Sequence, residues 1–363
     1  MIQSIQMLRF AAAMWVAVYH AQLWGWFPHA PSWFQTIAAG GYAGVDIFFV
    51  ISGVIMALGT ARSAPGIRAA SQFALTRFGR IYTGWWPVMG ISLLALVAIG
   101  SLPANVNLLS SALLYPSNFS LHISNVIWTL VYELYFYLLV AASLLLAPPW
   151  RQRAMAALAG GIATLVLHFW FTGRYAPGAF DRATLLVWFY AAPLVLEFFA
   201  GYFLYLLVQR FPRQHWGWWL LAAAVLAGMA TYVAWFHSPH APGMSGFFHW
   251  PERALWAGSA AVALVGAALL APVPHSPRLQ SLQHGLGRLG DYSFAIYLLH
   301  PLVLLLAGRA LQALGWQALP RAGAAVAVLL LLVAFAALYH HSIERPLYQA
   351  CRRQIARWLG PSA

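Results

Sequence analysis

Arg9 and His20 bracket LRFAAAMWVAVYH (residues 8–20), a run that is otherwise apolar or aromatic. Eleven helical steps of 100° return to within roughly 20° of the starting direction and advance about 16 Å, so the two side chains share one face at two depths. Guanidinium is a bidentate ligand for phosphate, and a neutral imidazole can take up a proton near pH 7. The pair fits a long ligand whose anionic end rests on Arg9 and whose reactive end reaches His20. The alternative is that Arg9 snorkels to lipid headgroups while His20 caps a span at the far interface.

The chain has seven acidic residues. Asp181 and Glu252 fall in connectors and read as solvated, and Asp291 and Glu344 fall at the ends of apolar runs. Asp46, Glu133 and Glu197 lie inside such runs, where an ionisable group needs a partner or a cavity. His20 lies about four residues, and Asp46 and Glu133 about six, from the same-side ends of their runs, which puts all three at nearly one depth. An imidazole level with two carboxylates has the composition of an oriented general base; plain structural pairing of His and acid stays open as the alternative. Thr129, Glu133 and Tyr137, spaced by four, form a polar stripe on one helix face, among Trp128, Tyr132, Tyr135 and Phe136. An aromatic belt accounts for the Trp and Tyr residues but not for the Glu. Arg77 and Arg80 fit a phosphate site on the side where Arg9 emerges, or ordinary topogenic charge.

The elements that carry these residues are membrane spans. Of the 363 residues, 62% are hydrophobic and 7% charged, with mean hydropathy +0.71, against about 25% charged in a soluble domain. Apolar runs fall near 5–24, 40–60, 82–100, 127–147, 154–172, 184–207, 217–236, 254–272, 293–312 and 323–342. They predict an all-α integral membrane protein of about ten transmembrane helices, with 1–342 as the membrane domain and 343–363 as a cytoplasmic amphipathic tail. Residues 68–82 read as a second interfacial helix. With both termini cytoplasmic, fourteen Arg fall in inner segments and five, including Arg182 and Arg253, in outer ones, a strong positive-inside bias. The net charge of +13 belongs to that topology rather than to nucleic acid. All 20 cations are Arg, which excludes lysine chemistry. The lone Cys351 excludes an internal disulfide. The N-terminal run reads as a retained span, since Arg9 interrupts it and bulky residues follow it.

Seven motifs in order along the chain resemble the acyltransferase 3 family of integral membrane O-acyltransferases. LRFAAAMWVAVYH is similar to its Arg-x10-His motif, and GYAGVDIFFVISGVIM (41–56) to its second-span signature. FALTRFGRIYTGWWP (73–87) resembles its Arg-x-x-Arg element. IWTLVYELYFYLL (127–139), LEFFAGYFL (196–204) and IERPLY (343–348) resemble later elements. LGDYSFAIYLLHPLV (289–303) matches loosely, with Pro301 directly after His300. The resemblance implies acyl transfer from cytoplasmic acetyl-CoA to a carbohydrate hydroxyl, in a multi-pass protein of the bacterial inner membrane nearest to stand-alone exopolysaccharide and O-antigen acetylases. It makes His20 the essential His, Arg9 its partner and Arg77/Arg80 the CoA-binding pair. The expected site has His20 as base, with Glu133 or Asp46 fixing its tautomer. Arg9, Arg77 and Arg80 hold the donor phosphates, and Trp128, Tyr132 and His300 lie against the saccharide or lipid-linked acceptor. No metal is called for, and the expected partners are acyl-CoA, the saccharide and membrane lipid. The rival readings are a proton-coupled transporter lined by the intramembrane acids, for which no repeated half with broken helices is visible, and a scaffold subunit, which needs no interior His.

Overall fold

A computed structural model describes residues 2–116, 119–175, 189–212, 215–237, 250–315 and 321–360. Every regular element among them is helical: α1 (Gln3–Leu23), α2 (Ser32–Ala39), α3 (Ala43–Thr60), α4 (Ile67–Ala98), α5 (Leu108–Leu113), α6 (Trp128–Ser143), α7 (Pro148–Phe171), α8 (Val195–Arg210), α9 (Trp216–His237), α10 (Pro251–Leu270), α11 (Pro277–Leu289), α12 (Ser293–Ala313), α13 (Arg321–Tyr339) and α14 (Arg345–Leu359). A π-helical turn at Ala254–Gly258 lies inside α10, and another at His340–Glu344 joins α13 to α14.

Eight helical stretches among the described residues are long and apolar enough to cross a membrane, those built on α3, α4, α6, α7, α9, α10, α12 and α13. They fit a multi-pass membrane protein. Of the ten expected spans, the other two correspond to α1, whose apolar character is diluted by Gln3, Gln6, Arg9, His20 and Gln22, and to α8, described over 16 residues. The run expected at 184–207 is described only from residue 189, and Asp181, Arg182 and Arg213 lie outside the described residues.

Two boundaries differ from expectation. Residues 68–82 are not a separate interfacial helix but the first half of α4, which runs unbroken for 32 residues. Pro87 lies inside this helix without ending it, and at about 1.5 Å per residue the helix outreaches the hydrocarbon core. The connector after residue 272 contains α11, begun by Pro277 in its first turn, where the missing N–H costs nothing.

Small residues bring the helices together. A Cβ on Gly53 of α3 would run into the Phe198 carbonyl, and one on Gly201 of α8 into that of Val50. The α3 and α8 backbones are therefore in direct contact, the close approach that glycine permits between membrane helices. Aromatic rings fill the space beside this seam, with Phe136 stacked on Phe198 at 4.2 Å and Tyr132 on Phe189 at 4.1 Å. Arg151 is buried at the start of α7 and donates to the Thr60 and Ser63 carbonyls at 2.8 and 3.1 Å. It satisfies acceptors at the C-terminal end of α3, where a cation is favoured.

Arg253, expected in an outer segment as topogenic charge, has a buried partner instead. It is buried in the first turn of α10, where its Nε and Nη2 donate to the two Asp46 oxygens at 3.2 and 2.7 Å. Its guanidinium also lies 5.1 Å from the Tyr42 ring centroid. Glu197 is buried beside this pair, close enough to Asp46 and Arg253 to feel both charges. A charge in an apolar bundle needs a counter-charge, and Asp46 finds it on α10. Removing one partner strands the other, so Arg253→Met should lower stability by about 3–5 kcal/mol. The apolar double variant Asp46→Leu/Arg253→Met should recover most of that loss. Thermal unfolding of the purified protein in lipid nanodiscs measures both, and a single variant as stable as the parent would refute the assignment.

Candidate functional site

A cavity of about 630 Å³ opens among α1, α3, α4, α6, α12 and α14, within the range of small-molecule sites. Arg9, Arg77 and Arg80 line it. So do Thr129, Glu133 and Tyr137, the whole polar stripe of α6. Asp46, His20, His300, Trp128 and Tyr132 are not among its lining residues.

Arg9 is held by a relay. Its Nη1 donates to Gln6 Oε1 at 2.9 Å, and Gln6 Nε2 donates to Asp291 Oδ1 at 2.7 Å. The relay depends on α11 lying close to α1, where a Cβ on Gly290 would strike the Gln6 carbonyl. Glu133 accepts from Tyr137 Oη and from Ser52 Oγ, the latter at 3.4 Å. Its charge also acts on Arg9.

The two arginines of the Arg-x-x-Arg element have different neighbours. Arg80 donates to Glu344, which also accepts from His340 Nδ1 at 3.0 Å. Glu344 is fully buried, and this ion pair fastens the start of α14 to α4. Arg77 makes no ion pair among the described residues, and its guanidinium lies 5.6 Å from the Phe73 centroid and 5.9 Å from that of Tyr137. Arg77 is therefore free to bind an anion in the cavity, while Arg80 brings a charge that Glu344 already offsets. Sequence reading placed Glu344 at a span end and missed this pairing. The available signal was a Glu four residues after His340, directly following an apolar run.

His20 takes partners other than the two carboxylates expected to orient it. Its Nδ1 lies 3.0 Å from the Val16 carbonyl and 3.2 Å from His300 Nε2. A carbonyl only accepts, so Nδ1 carries the proton and Nε2 carries the lone pair. Nε2 makes no hydrogen bond among the described residues, and the side chain is partly exposed. His300, expected against the acceptor, is instead completely buried. It follows Tyr297 by one turn of α12, with ring centroids 5.8 Å apart. Pro301 lacks the N–H that would otherwise donate to the Tyr297 carbonyl, and His300 Nδ1 is buried without a hydrogen-bond partner among the described residues. Because His20 Nδ1 carries the proton, His300 Nε2 is the acceptor in their contact and the neutral His300 holds its own proton on Nδ1. Tyr297 lines the cavity, donates to the Val126 carbonyl at 2.9 Å and receives Thr129 Oγ1 at 3.0 Å. The His pair thus lies one turn beyond the end of the cavity marked by Thr129 and Tyr297.

Trp128 and Tyr132, expected to stack on sugar, are buried in the aromatic core. Trp128 is 6.0 Å and Tyr132 5.9 Å from the Phe49 centroid. Residues 128, 132 and 136 form the α6 stripe about 100° from the cavity stripe of 129, 133 and 137, so one helix serves the core and the cavity on adjacent faces. No group of three or more metal-binding side chains occurs among the described residues.

If the Arg80–Glu344 pair fastens α14, Arg80→Gln and Glu344→Gln should each lower the unfolding temperature. The double variant should lose less than the sum, with a coupling of about 0.5–3 kcal/mol. Arg77→Gln should leave the unfolding temperature unchanged. Additive losses would dissolve the pair as a fastener.

Residues 2–341 match the family described as acyltransferase domain. The chain is 32% identical to the exopolysaccharide production protein ExoZ of Rhizobium meliloti (strain 1021), over 86% of this chain and 91% of that protein. It is 25% identical to nodulation protein 10 of Rhizobium leguminosarum bv. viciae, over 86% of this chain and 84% of that protein. No solved structure matches.

Proposed function

The chain belongs to the acyltransferase domain family, and from that premise we propose that it moves an acetyl group from cytoplasmic acetyl-CoA to a hydroxyl of a bacterial surface or extracellular polysaccharide, or of its lipid-linked precursor. One observation carries the proposal: a single cavity has arginines at one end and, at the other, the tyrosine that precedes the buried His300 and its partner His20. The likeness to a protein named for exopolysaccharide production supports the acceptor class. In this reading the protein spans the inner membrane ten times, counting α1 and α8, with the arginine end of the cavity facing the cytoplasm in accord with the positive-inside bias.

Donor phosphates rest on Arg9 and Arg77, with Arg80 adding to the positive field. The thioester arm runs along the α6 stripe toward Tyr297. His20 Nε2 takes the proton of the acceptor hydroxyl as its oxygen attacks the thioester carbon. The tetrahedral oxyanion then collapses, the carbon–sulfur bond breaks, and the departing CoA thiolate takes the proton back from the imidazolium. Products are the acetyl ester and CoA thiol. The Val16 carbonyl and His300 Nε2 both face the Nδ1 proton, so the imidazolium keeps its orientation while it carries the extra charge. A covalent acetyl-His relay uses the same nitrogen, with Nε2 as the nucleophile. The transporter reading calls for acids along an open path, and here Asp46 is bound to Arg253.

In nanodiscs, with acetyl-CoA and an acceptor saccharide, His20→Ala should lower turnover by about 10²–10⁴-fold, the scale of a general base, with little change in donor affinity. Turnover near that of the parent would remove His20 from the chemistry. Glu133→Gln should cost less than His20→Ala, because Glu133 lies in the cavity wall; an equal loss would assign Glu133 the proton transfer itself. His300→Phe should lower kcat more than donor KM, and His300→Gln, which keeps an acceptor, should restore part of the loss. Comparison of O-acyl signals by NMR in polysaccharide from cells with and without the gene tests the acceptor class.

A further inference from the structure

The cavity is wider in charge than the donor site described so far. Arg345, Tyr348, Gln349 and Arg352 also line it. Their spacing of three, four and seven places them on one face of α14, and that face forms the cavity mouth. Arg345 and Arg352 are exposed, whereas Arg9 and Arg77 are partly buried. Neither mouth arginine makes an ion pair among the described residues. The Tyr348 ring lies 6.0 Å from the Arg352 guanidinium and 5.6 Å from that of Arg80, an arrangement that restrains Arg352 over the ring. The helix itself is fixed at its first turn by Glu344 and Arg80, and along its length by Cys351 against Gly79, where a Cβ would lie 2.6 Å from the sulfur.

The cavity therefore presents two cationic groups at different depths, one on α1 and α4 and one on α14. A ligand matching both carries two separate anionic groups. We propose that the α14 face binds a terminal phosphomonoester on the nucleotide end of the donor, the 3′-phosphate of the CoA adenosine, while the deeper arginines hold the diphosphate. This rests on the acyl-CoA reading above and deepens it. It makes the C-terminal helix the element that separates CoA thioesters from thioesters lacking that phosphate. The same phosphate chemistry is present in anionic lipid headgroups, and the two sources are separated by experiment.

The parent protein and the Arg345→Gln/Arg352→Gln double variant are compared with acetyl-CoA and 3′-dephospho-acetyl-CoA. The parent should show a KM about 10- to 100-fold higher for the dephospho donor, the scale of charge-assisted hydrogen bonds to one phosphate. In the double variant the ratio of the two KM values should fall close to one. A parent that does not discriminate, or a variant that keeps the parent's ratio, overturns the proposal. Repeating the measurements in nanodiscs of phosphatidylcholine alone and with added phosphatidylglycerol addresses lipid. An effect of the substitutions present only with phosphatidylglycerol, and equal for both donors, assigns the face to headgroups and also overturns it. Binding of adenosine 3′,5′-bisphosphate against adenosine 5′-monophosphate, by calorimetry, needs no turnover. Preference for the bisphosphate in the parent and its loss in the variant would uphold the site even if acetyl transfer were absent, whereas equal binding would reject it.

Discussion

Glu344 is completely buried among apolar helices, and Arg80 and His340 both turn toward it. An unpaired carboxylate there would be costly enough to unfold its surroundings. The pairing joins α4 to the start of α14, and most of the cavity is built around that joint. It holds Arg77 over the α6 stripe from one side and presents the face of Arg345 and Arg352 from the other. The Asp46–Arg253 pair performs the corresponding task elsewhere, tying α3 to α10. Each acid is placed where two helices must be held together, and each cation comes from a segment distant in sequence.

The His pair follows from the same constraint. In the proposed role as base His20 becomes cationic during turnover and needs an acceptor behind it, and a carboxylate would introduce a second charge into an apolar setting. The chain uses neutral acceptors instead, a backbone carbonyl of α1 and the imidazole of His300. Pro301 leaves the Tyr297 carbonyl without its usual helical donor beside this pair, while His300 Nδ1 is buried without a hydrogen-bond partner among the described residues.

Helical class and most spans were legible because apolar runs of the right length have few other fates in a chain so poor in charge. That Thr129, Glu133 and Tyr137 share one face of α6 was legible from spacing alone, and the structure lines the cavity with that face. Depth, however, is a single coordinate. Counting from the span ends put Asp46 level with His20, but said nothing about which helices are neighbours in the membrane plane, and Asp46 bonds to Arg253 instead. Arg253 was counted only as one of five outer charges, and only the fold reveals its counter-charge across the bundle. Trp128 and Tyr132 were misread by one helical face. Local periodicity separates the two α6 stripes, but which of them meets the core is decided by Phe49 and Phe189 from other segments.

The π-helical turn at His340–Glu344 sets the angular phase of everything after it. A turn of this kind holds one residue more than an α-helical turn would, and one residue corresponds to about 100° of rotation about the helix axis. Glu344 ends that turn, so the residue that takes the ion pair is also the origin from which the α14 face is counted. Loss of a single residue among 341–343 would let the wide turn close to an ordinary α-helical one and leave Arg345 and Arg352 on the cavity side, whereas the same loss between Arg345 and Arg352 would swing Arg352 about 100° away. Length at this joint is therefore less strictly specified than length within α14, and relatives that share the architecture should lose a residue at 341–343 more readily than between 345 and 352.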